Sequence, residues 1–368
     1  MKIAYISNSV IPSRTANSIH VMKMCQAFGQ IGHDVLLLAP DRGKDREPGI
    51  TDVFGYYGIQ EPFPIRLLPC PDLRGRDWIY SFFVRRELKK FRPGLVYGRY
   101  LMGCAHAAGD DHMIRFEIHS PLWRRTRRDY ALFRKLTRSE NLQRLIAITR
   151  ALKKMCGDEG LFPQEKIIVA PDGADVPEDL SPLPEWPGRK GALQAGYVGH
   201  LYPGRGIDII IQLAEVMEDV DFHVIGGTQQ DIKYWKSRTR APNVIFHGHV
   251  PPGDVHRYRN SCDVLLAPYQ DEIAVADGGG DTSGVMSPLK IFEYMASKRP
   301  IVASDLPAVR EVLDSANAIL VRHDSVQEWK AAILKLGDKQ DRDRLARRAY
   351  EDFTASYTWR RRAEKVLG

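Results

Sequence analysis

The segment Ser287-Pro288-Leu289-Lys290-Ile291-Phe292-Glu293-Tyr294-Met295-Ala296-Ser297 sets a cation and a carboxylate three residues apart. A serine before a proline predicts a helix over 288–297, with Ser287 as its cap and Pro288 in its first position. The first turn of such a helix presents open N–H groups and the positive end of the dipole, so it suits an anion. Leu289, Phe292 and Ala296 make the apolar face and Lys290 and Glu293 share a side. Two readings follow. Lys290 and the helix mouth hold a phosphate while Glu293 takes ribose hydroxyls, or the two side chains form a surface ion pair.

A second polar group lies near the start of the chain. Pro12-Ser13-Arg14-Thr15-Ala16-Asn17-Ser18 follows the first strand pattern, and its hydroxyl, amide and guanidinium groups suit phosphate or sugar hydroxyls. Arg14, Thr15 and Asn17 are the candidates, with capping of the next helix by Asn17 or Ser18 as the alternative. Asp271, Glu272, Asp277 and Asp281 form an acidic, glycine-containing stretch without the spacing of a calcium loop, and no metal is expected there. Cys25, Cys70, Cys104, Cys156 and Cys262 are too far apart in sequence for a C-x-x-C pair, which predicts reduced thiols.

Alternating strand and helix patterns must position these groups. Lys2 to Ser7 reads as a strand, Ser18 to Gln30 as a helix ended by Gly32 and Val35 to Ala39 as a strand, a βαβ unit. A second set runs through strand 193–198, helix 207–217, strands 222–225, 244–246 and 264–267, helix 288–297 and strand 301–303. The proline-rich, acidic stretch 171–187 supports no regular element and reads as a linker. The expected fold class is α/β, with two Rossmann-like domains facing each other across a crevice. Expected boundaries are 1–180, 181–345 and a helix over 346–368 crossing back to the first domain, with Trp359 and Val366 as anchors. A length of 368 residues agrees with two domains.

Glycines and motifs then match a known family in order. Ser287 to Leu313 resembles the donor-nucleotide motif of glycosyltransferase family 4, retaining enzymes of the GT-B fold. Tyr197-Val198-Gly199-His200-Leu201-Tyr202-Pro203-Gly204-Arg205-Gly206 resembles the family's glycine loop, and Pro171-Asp172-Gly173-Ala174-Asp175 its P-N-G-V-D signature. Val224-Ile225-Gly226-Gly227, residues 243–250, the run Cys262 to Pro268 and Gly32-His33-Asp34-Val35 are similar to its remaining signatures. The resemblance covers nearly the whole chain and is strongest over 196–313.

The resemblance implies a nucleotide-sugar donor, UDP- or GDP-linked, a glycan or lipid-linked acceptor, retention of configuration, and no metal or other cofactor. It assigns His119, at the end of strand-like Arg115 to Ile118, to the reacting centre together with Arg205 and Lys290. Gly199, His200, Gly206, Gly226, Val250, Ser287, Pro288, Leu289 and Glu293 become donor-binding residues. Glu117 is expected to face the other way from His119. One departure stands out: of the family's two glutamates, separated by seven residues, the second aligns with Glu293 and the first with Val285.

Charge is uneven. Residues 1–190 hold 30 basic and 22 acidic side chains, whereas the rest of the chain holds 23 and 24. Between Arg85 and Lys154 there are 18 basic and 6 acidic residues, interleaved with Phe91, Trp123, Tyr130 and Phe133. Such a region suits an anionic membrane surface or a solvated face; without a nucleic-acid-binding module, nucleic acid is not expected. No apolar run reaches the roughly 20 residues of a membrane span, and no signal-peptide pattern opens the chain. The expectation is a cytoplasmic glycosyltransferase of cell-envelope or exopolysaccharide synthesis, peripheral on the inner face of the membrane. The alternatives are a non-catalytic sugar-nucleotide-binding protein and a GT-B epimerase or hydrolase.

Overall fold

The computed structural model describes residues 1–272 and 284–368; Asp277 and Asp281 lie outside the described residues. The chain divides into unit 1, Met1–Asp172 with Trp359–Gly368, and unit 2, Gly173–Thr358.

Unit 1 runs β1 (Lys2–Ile6), α1 (Ala16–Gln30), β2 (Asp34–Asp41), α2 (Val53–Tyr57), β3 (Ile65–Pro69), α3 (Arg76–Phe91), β4 (Leu95–Gly98), α4 (Leu101–Gly109), β5 (Ile114–Ile118), α5 (Arg127–Thr137), β6 (Leu142–Ala147), α6 (Arg150–Asp158) and β7 (Ile167–Val169). The strands are parallel in the order β3-β2-β1-β4-β5-β6-β7. Ile3, Ala4, Tyr5 and Ile6 are all fully buried, because helices cover both faces of a parallel sheet. The first helix begins at Ala16, before the expected Ser18, because the Thr15 hydroxyl caps it by accepting from Ser18 N at 3.2 Å. Asn17 and Ser18 therefore lie inside the helix and do not cap it.

Unit 2 continues with β8 (Leu193–Val198), α7 (Ile207–Val216), β9 (Val220–Ile225), α8 (Gln229–Lys236), β10 (Val244–Gly248), α9 (Val255–Asn260), β11 (Val264–Ala267), α10 (Leu289–Ala296), β12 (Ile301–Ser304), β13 (Ile319–Val321), α11 (Val326–Lys335) and α12 (Lys339–Ser356). Its parallel sheet has the order β10-β9-β8-β11-β12-β13. Apolar side chains of α7 and α11 pack one face, and those of α10 and α12 the other. In both sheets the strand order reverses once, beside β1 and beside β8. Such switch points leave a space beyond the strand carboxyl ends.

Three expectations are corrected. Helix α10 starts at Leu289, and Pro288, with extended ψ of 110°, takes the cap position expected of Ser287. The stretch read as a linker is an arm seated on unit 2: Leu183 N donates to Ser261 Oγ at 2.8 Å, and the Trp186 indole lies on the His223 and His247 rings at 4.2 and 5.0 Å. The chain thus changes unit at 172/173, against the expected 180/181. The charged tail is not one helix. It breaks at Tyr357 and Thr358, where Ala174 N donates to Tyr357 O at 3.0 Å, and resumes in unit 1 as α13 (Trp359–Leu367), against the expected boundary at 345/346. Trp359 and Val366 are buried.

Candidate functional site

The residues expected to bind the donor gather in unit 2, around the carboxyl ends of β8 and β11. Gly199 follows β8 with φ 149° and donates its N–H to Ile225 O at 2.9 Å. Gly226 follows β9; a Cβ there would stand 2.1 Å from Gly199 O, so only glycine permits the two turns to meet. Gly206 caps α7 with φ 79°, and a Cβ on it would stand 1.8 Å from Pro268 O, just past β11. Close approach of these backbones is what the glycine spacing encodes. The His200 imidazole stacks on Tyr202 at 4.9 Å, and Val250, half-buried, packs beside the core behind α10.

Lys290 sits in the first turn of α10, and Ser287, Pro288 and Leu289 lead into it. Its side chain is buried and its Nζ has no hydrogen-bond partner among the described residues. A Cβ on Gly199 would be only 3.0 Å from that ammonium, so the glycine turn and the lysine occupy one site. Burial holds the Lys290 pKa well below its ordinary value, Arg205 lowers it further and Glu293 opposes. The ammonium lies over the rings of Tyr197, 3.7 Å from its centroid, and Tyr269, 4.9 Å away. Arg205 faces the same Tyr269 ring from 5.7 Å and hydrogen-bonds its side chain, while its buried Nε has no hydrogen-bond partner among the described residues. Two cations thus share a water-poor site whose backbone amides and helix mouth favour an anion.

The surface-pair reading of Lys290 with Glu293 does not hold. The half-buried Glu293 carboxylate instead stands 3.3 Å from Nη1 of Arg259, a buried residue of α9 whose Nε donates to Ser297 Oγ at 3.1 Å. Val285, where the family has its first glutamate, is buried. Asp271 and Glu272 are exposed.

The remaining candidates are in unit 1. Thr15 caps α1, Arg14 forms a two-pronged pair with Glu47, with Nε to Oε2 at 2.6 Å, and Asn17 Nδ2 donates to Asn8 Oδ1 at 3.4 Å. His119 follows β5 with its Nδ1 sealed from solvent and without a hydrogen-bond partner among the described residues. Burial, then Arg99 and Arg125, hold its pKa well below the ordinary value, so the imidazole is neutral.

Glu117 corrects a further expectation. Glu117 does not face away from His119, on which its charge acts, and it lies in a buried charge cluster. Its Oε2 lies 2.9 Å from Arg362 Nη2 and accepts from the Tyr97 hydroxyl, and its Oε1 lies 3.1 Å from His20 Nε2 and 3.4 Å from Arg99 Nε. His20 Nδ1 is 2.8 Å from Asp172 Oδ1. Arg362 also donates from Nε to Pro171 O at 2.8 Å and from Nη2 to Ala170 O at 3.1 Å. Donor atoms of His20, Glu117 and Asp172 all lie within 4.8 Å of one another, a metal-like spacing. Two guanidinium groups already balance these carboxylates, so the cluster has little to offer a further cation.

Sequence reasoning passed over Tyr269, Arg259, His20, Arg99 and Arg362. Tyr197 had a signal, since strand alternation sets it on the side of Gly199. Arg259 and Arg362 had none, being 34 and 245 residues from their carboxylate partners.

Comparison with known proteins follows this geometry. Residues 18–178 match the family described as Glycosyltransferase Family 4, and residues 192–339 match Glycosyl transferases group 1. A segment is 28% identical over 127 residues to the "Putative teichuronic acid biosynthesis glycosyltransferase TuaH" of Bacillus subtilis (strain 168). That match covers 34% of this chain and only 30% of the relative. Over the full chain, the fold is similar to Anabaena Alr3699/HepE in complex with UDP-glucose, with TM-score 0.75, 16% identity and 98% of that chain covered. It is also similar to sucrose-phosphate synthase from Thermosynechococcus elongatus (TM-score 0.73, 16% identity, 100% of this chain and 97% of that one). The lipopolysaccharide glycosyltransferase WaaG superposes with TM-score 0.66 at 14% identity, over 99% of this chain and 98% of that one.

Proposed function

From the premise that this chain belongs to glycosyltransferase family 4 and has the GT-B fold, we propose that it moves a sugar from a nucleotide-sugar donor to a glycan or lipid-linked acceptor with retention of configuration. The observation that carries this reading is Lys290, a buried ammonium without a hydrogen-bond partner among the described residues, set beside Arg205, the Gly199 turn and the mouth of α10. Departure of a nucleoside diphosphate from an anomeric carbon builds charge on the leaving phosphate, and fixed cations and amides in a dry site stabilise that charge. Arg205 and Lys290 take that role without a metal. Glu293, aligned by Arg259, accepts ribose hydroxyls. The neutral His119 acts at the sugar and acceptor, and the donor phosphate receives the acceptor proton on the same face as departure.

UDP is the favoured nucleotide, because Alr3699/HepE has been solved with UDP and with UDP-glucose; a GDP-sugar is the alternative. The teichuronic acid relative supports a role in cell-envelope or exopolysaccharide glycan synthesis. No helix among the described residues is long and apolar enough to cross a membrane. The acceptor is reached instead by docking of the basic region on anionic lipid: Trp78 and Phe82 of α3 are 55% and 60% exposed, on the helix that carries Arg86, Lys89 and Lys90.

Incubation with pooled nucleotide sugars and membrane extract, read by mass spectrometry, tests the reading. Release of one nucleoside diphosphate with gain of one glycosyl unit by an acceptor is expected. Donor conversion by the protein alone would point to an epimerase or hydrolase, and binding without product under all conditions to a non-catalytic protein.

A further inference from the structure

Two like charges in a site of low dielectric repel, and a buried cation normally has a carboxylate beside it. Among the described residues Lys290 Nζ has no hydrogen-bonding partner, and the one carboxylate that acts on it, Glu293, is turned to Arg259. What faces the ammonium is aromatic. Tyr197, from β8, and Tyr269, just past β11, present their rings 3.7 and 4.9 Å from Nζ. The Tyr269 ring is shared, since Arg205 lies 5.7 Å from its centroid. Both rings are fixed: each is at most 2% exposed, and the Tyr197 hydroxyl donates to His200 O at 2.6 Å.

We infer that Tyr197 and Tyr269 are positioning residues, whose ring faces hold Lys290 and Arg205 in place of a counter-ion and leave the ammonium protons for a diphosphate. The negative face of a ring attracts a cation without the full charge that would compete with an incoming phosphate. A carboxylate in the same place would neutralise the site before the ligand arrived. This inference rests on the donor-nucleotide reading of Lys290.

Among the described residues, Arg205, Glu293, Tyr197 and Tyr269 are the titratable groups that face Lys290. Removing a ring removes support for the charged form of a lysine that burial already disfavours, so the variant must lose affinity more steeply as pH rises. The test is calorimetric titration with UDP, and in parallel GDP, between pH 6 and 8.5 on wild type, Tyr269→Phe, Tyr269→Leu and Lys290→Ala. Variants are compared at equal pH, so protonation of the nucleotide itself cancels. Tyr269→Leu is expected to bind about tenfold or more weakly at the upper pH and to recover part of the loss at pH 6, as the loss of a desolvated cation–π contact implies. Tyr269→Phe keeps the ring and loses the hydroxyl that hydrogen-bonds Arg205, so it should keep the wild-type pH dependence with at most a loss of affinity that is uniform across pH. Tyr269→Met carries the same expectation as the leucine variant if that one does not fold.

A leucine or methionine variant with wild-type affinity and pH profile, in a series where Lys290→Ala has lost binding, overturns this inference and leaves the donor reading intact. Wild-type affinity in Lys290→Ala itself, or no binding of either nucleotide by the wild type, overturns the donor reading and this inference with it.

Discussion

Each unit buries charged side chains near the carboxyl ends of its sheet, and the two solve the resulting problem in opposite ways. In unit 1, Glu117 and Asp172 are matched by Arg362, Arg99 and His20, with the Tyr97 hydroxyl completing the set. In unit 2, among the described residues, Lys290 faces the rings of Tyr197 and Tyr269, and Arg205 faces the Tyr269 ring and hydrogen-bonds its side chain. A closed set of charges serves the fold: it ties together Asp172, where the chain leaves unit 1, and α13, where the chain comes back. An open set is a standing cost to the fold that a ligand of opposite charge removes. The difference teaches that burial of charge alone does not mark a site; burial without a partner does.

The sharpest way to break this comparison is a pair of variants with opposite signatures. Arg362→Met should lower stability by about 3–5 kcal/mol, because the buried Glu117 loses its nearest guanidinium and Arg99 and His20 are left to offset both Glu117 and Asp172; thermal and urea unfolding measure it. Lys290→Ala should do the reverse, lowering kcat by roughly 10²–10³ while leaving the melting temperature unchanged or higher. If Arg362→Met is as stable as wild type, or Lys290→Ala unfolds, the division into a structural and a functional cluster fails.

Acid unfolding sharpens the comparison further. Burial alone would raise the Glu117 pKa, but Arg362, His20 and Arg99 together hold it well below the ordinary 4.5. Its contribution to stability is therefore full above about 4.5 and is lost as pH falls through the folded value. The buried histidines of unit 2 act earlier: burial pushes His247 down from 6.5 to about 4, and burial with His247 pushes His223 to about 3. Unfolded histidines take up protons below 6.5 that these do not, so stability is lost as pH falls from about 6.5 toward 4. Melting temperatures across pH 3–8 should show His247→Phe flattening the upper part of that loss and Glu117→Gln the lower part.

The smallest expected effect concerns the carboxylate beside the open cluster. Glu293→Ala should raise the donor KM by roughly three- to tenfold, the scale of one hydrogen bond to a charged group, with kcat retained. A fall in kcat as large as that of Lys290→Ala would move Glu293 from nucleotide binding to the chemistry.

Much of the fold was legible because its signals are local. Alternating patterns and end residues located the strands 193–198 and 264–267 without error and α10 to within a residue at each end. Glycines were legible for a similar reason, since positive φ and close backbone approach, as at Gly199, Gly206 and Gly226, admit few other residues. Capping was less so. Thr15, Asn17 and Ser18 are all good caps, and only the path of the chain decided for Thr15. The proline-rich arm was misread as a linker because a segment without helix or strand periodicity can still be ordered by contacts such as those of Trp186.

By itself, the sequence determined that this chain forms two parallel α/β sheets, and that a phosphate-suited helix mouth, a glycine turn and a lysine occur together in the second. Those properties follow from residue type and short-range spacing. Only the tertiary structure decided the partners of the charges: that Lys290 lies between tyrosines, that Glu293 turns to Arg259, and that Arg362 returns across 245 residues to Glu117. Pairing of a buried charge depends on which elements pack together, and that is a property of the whole fold with no local imprint on the chain.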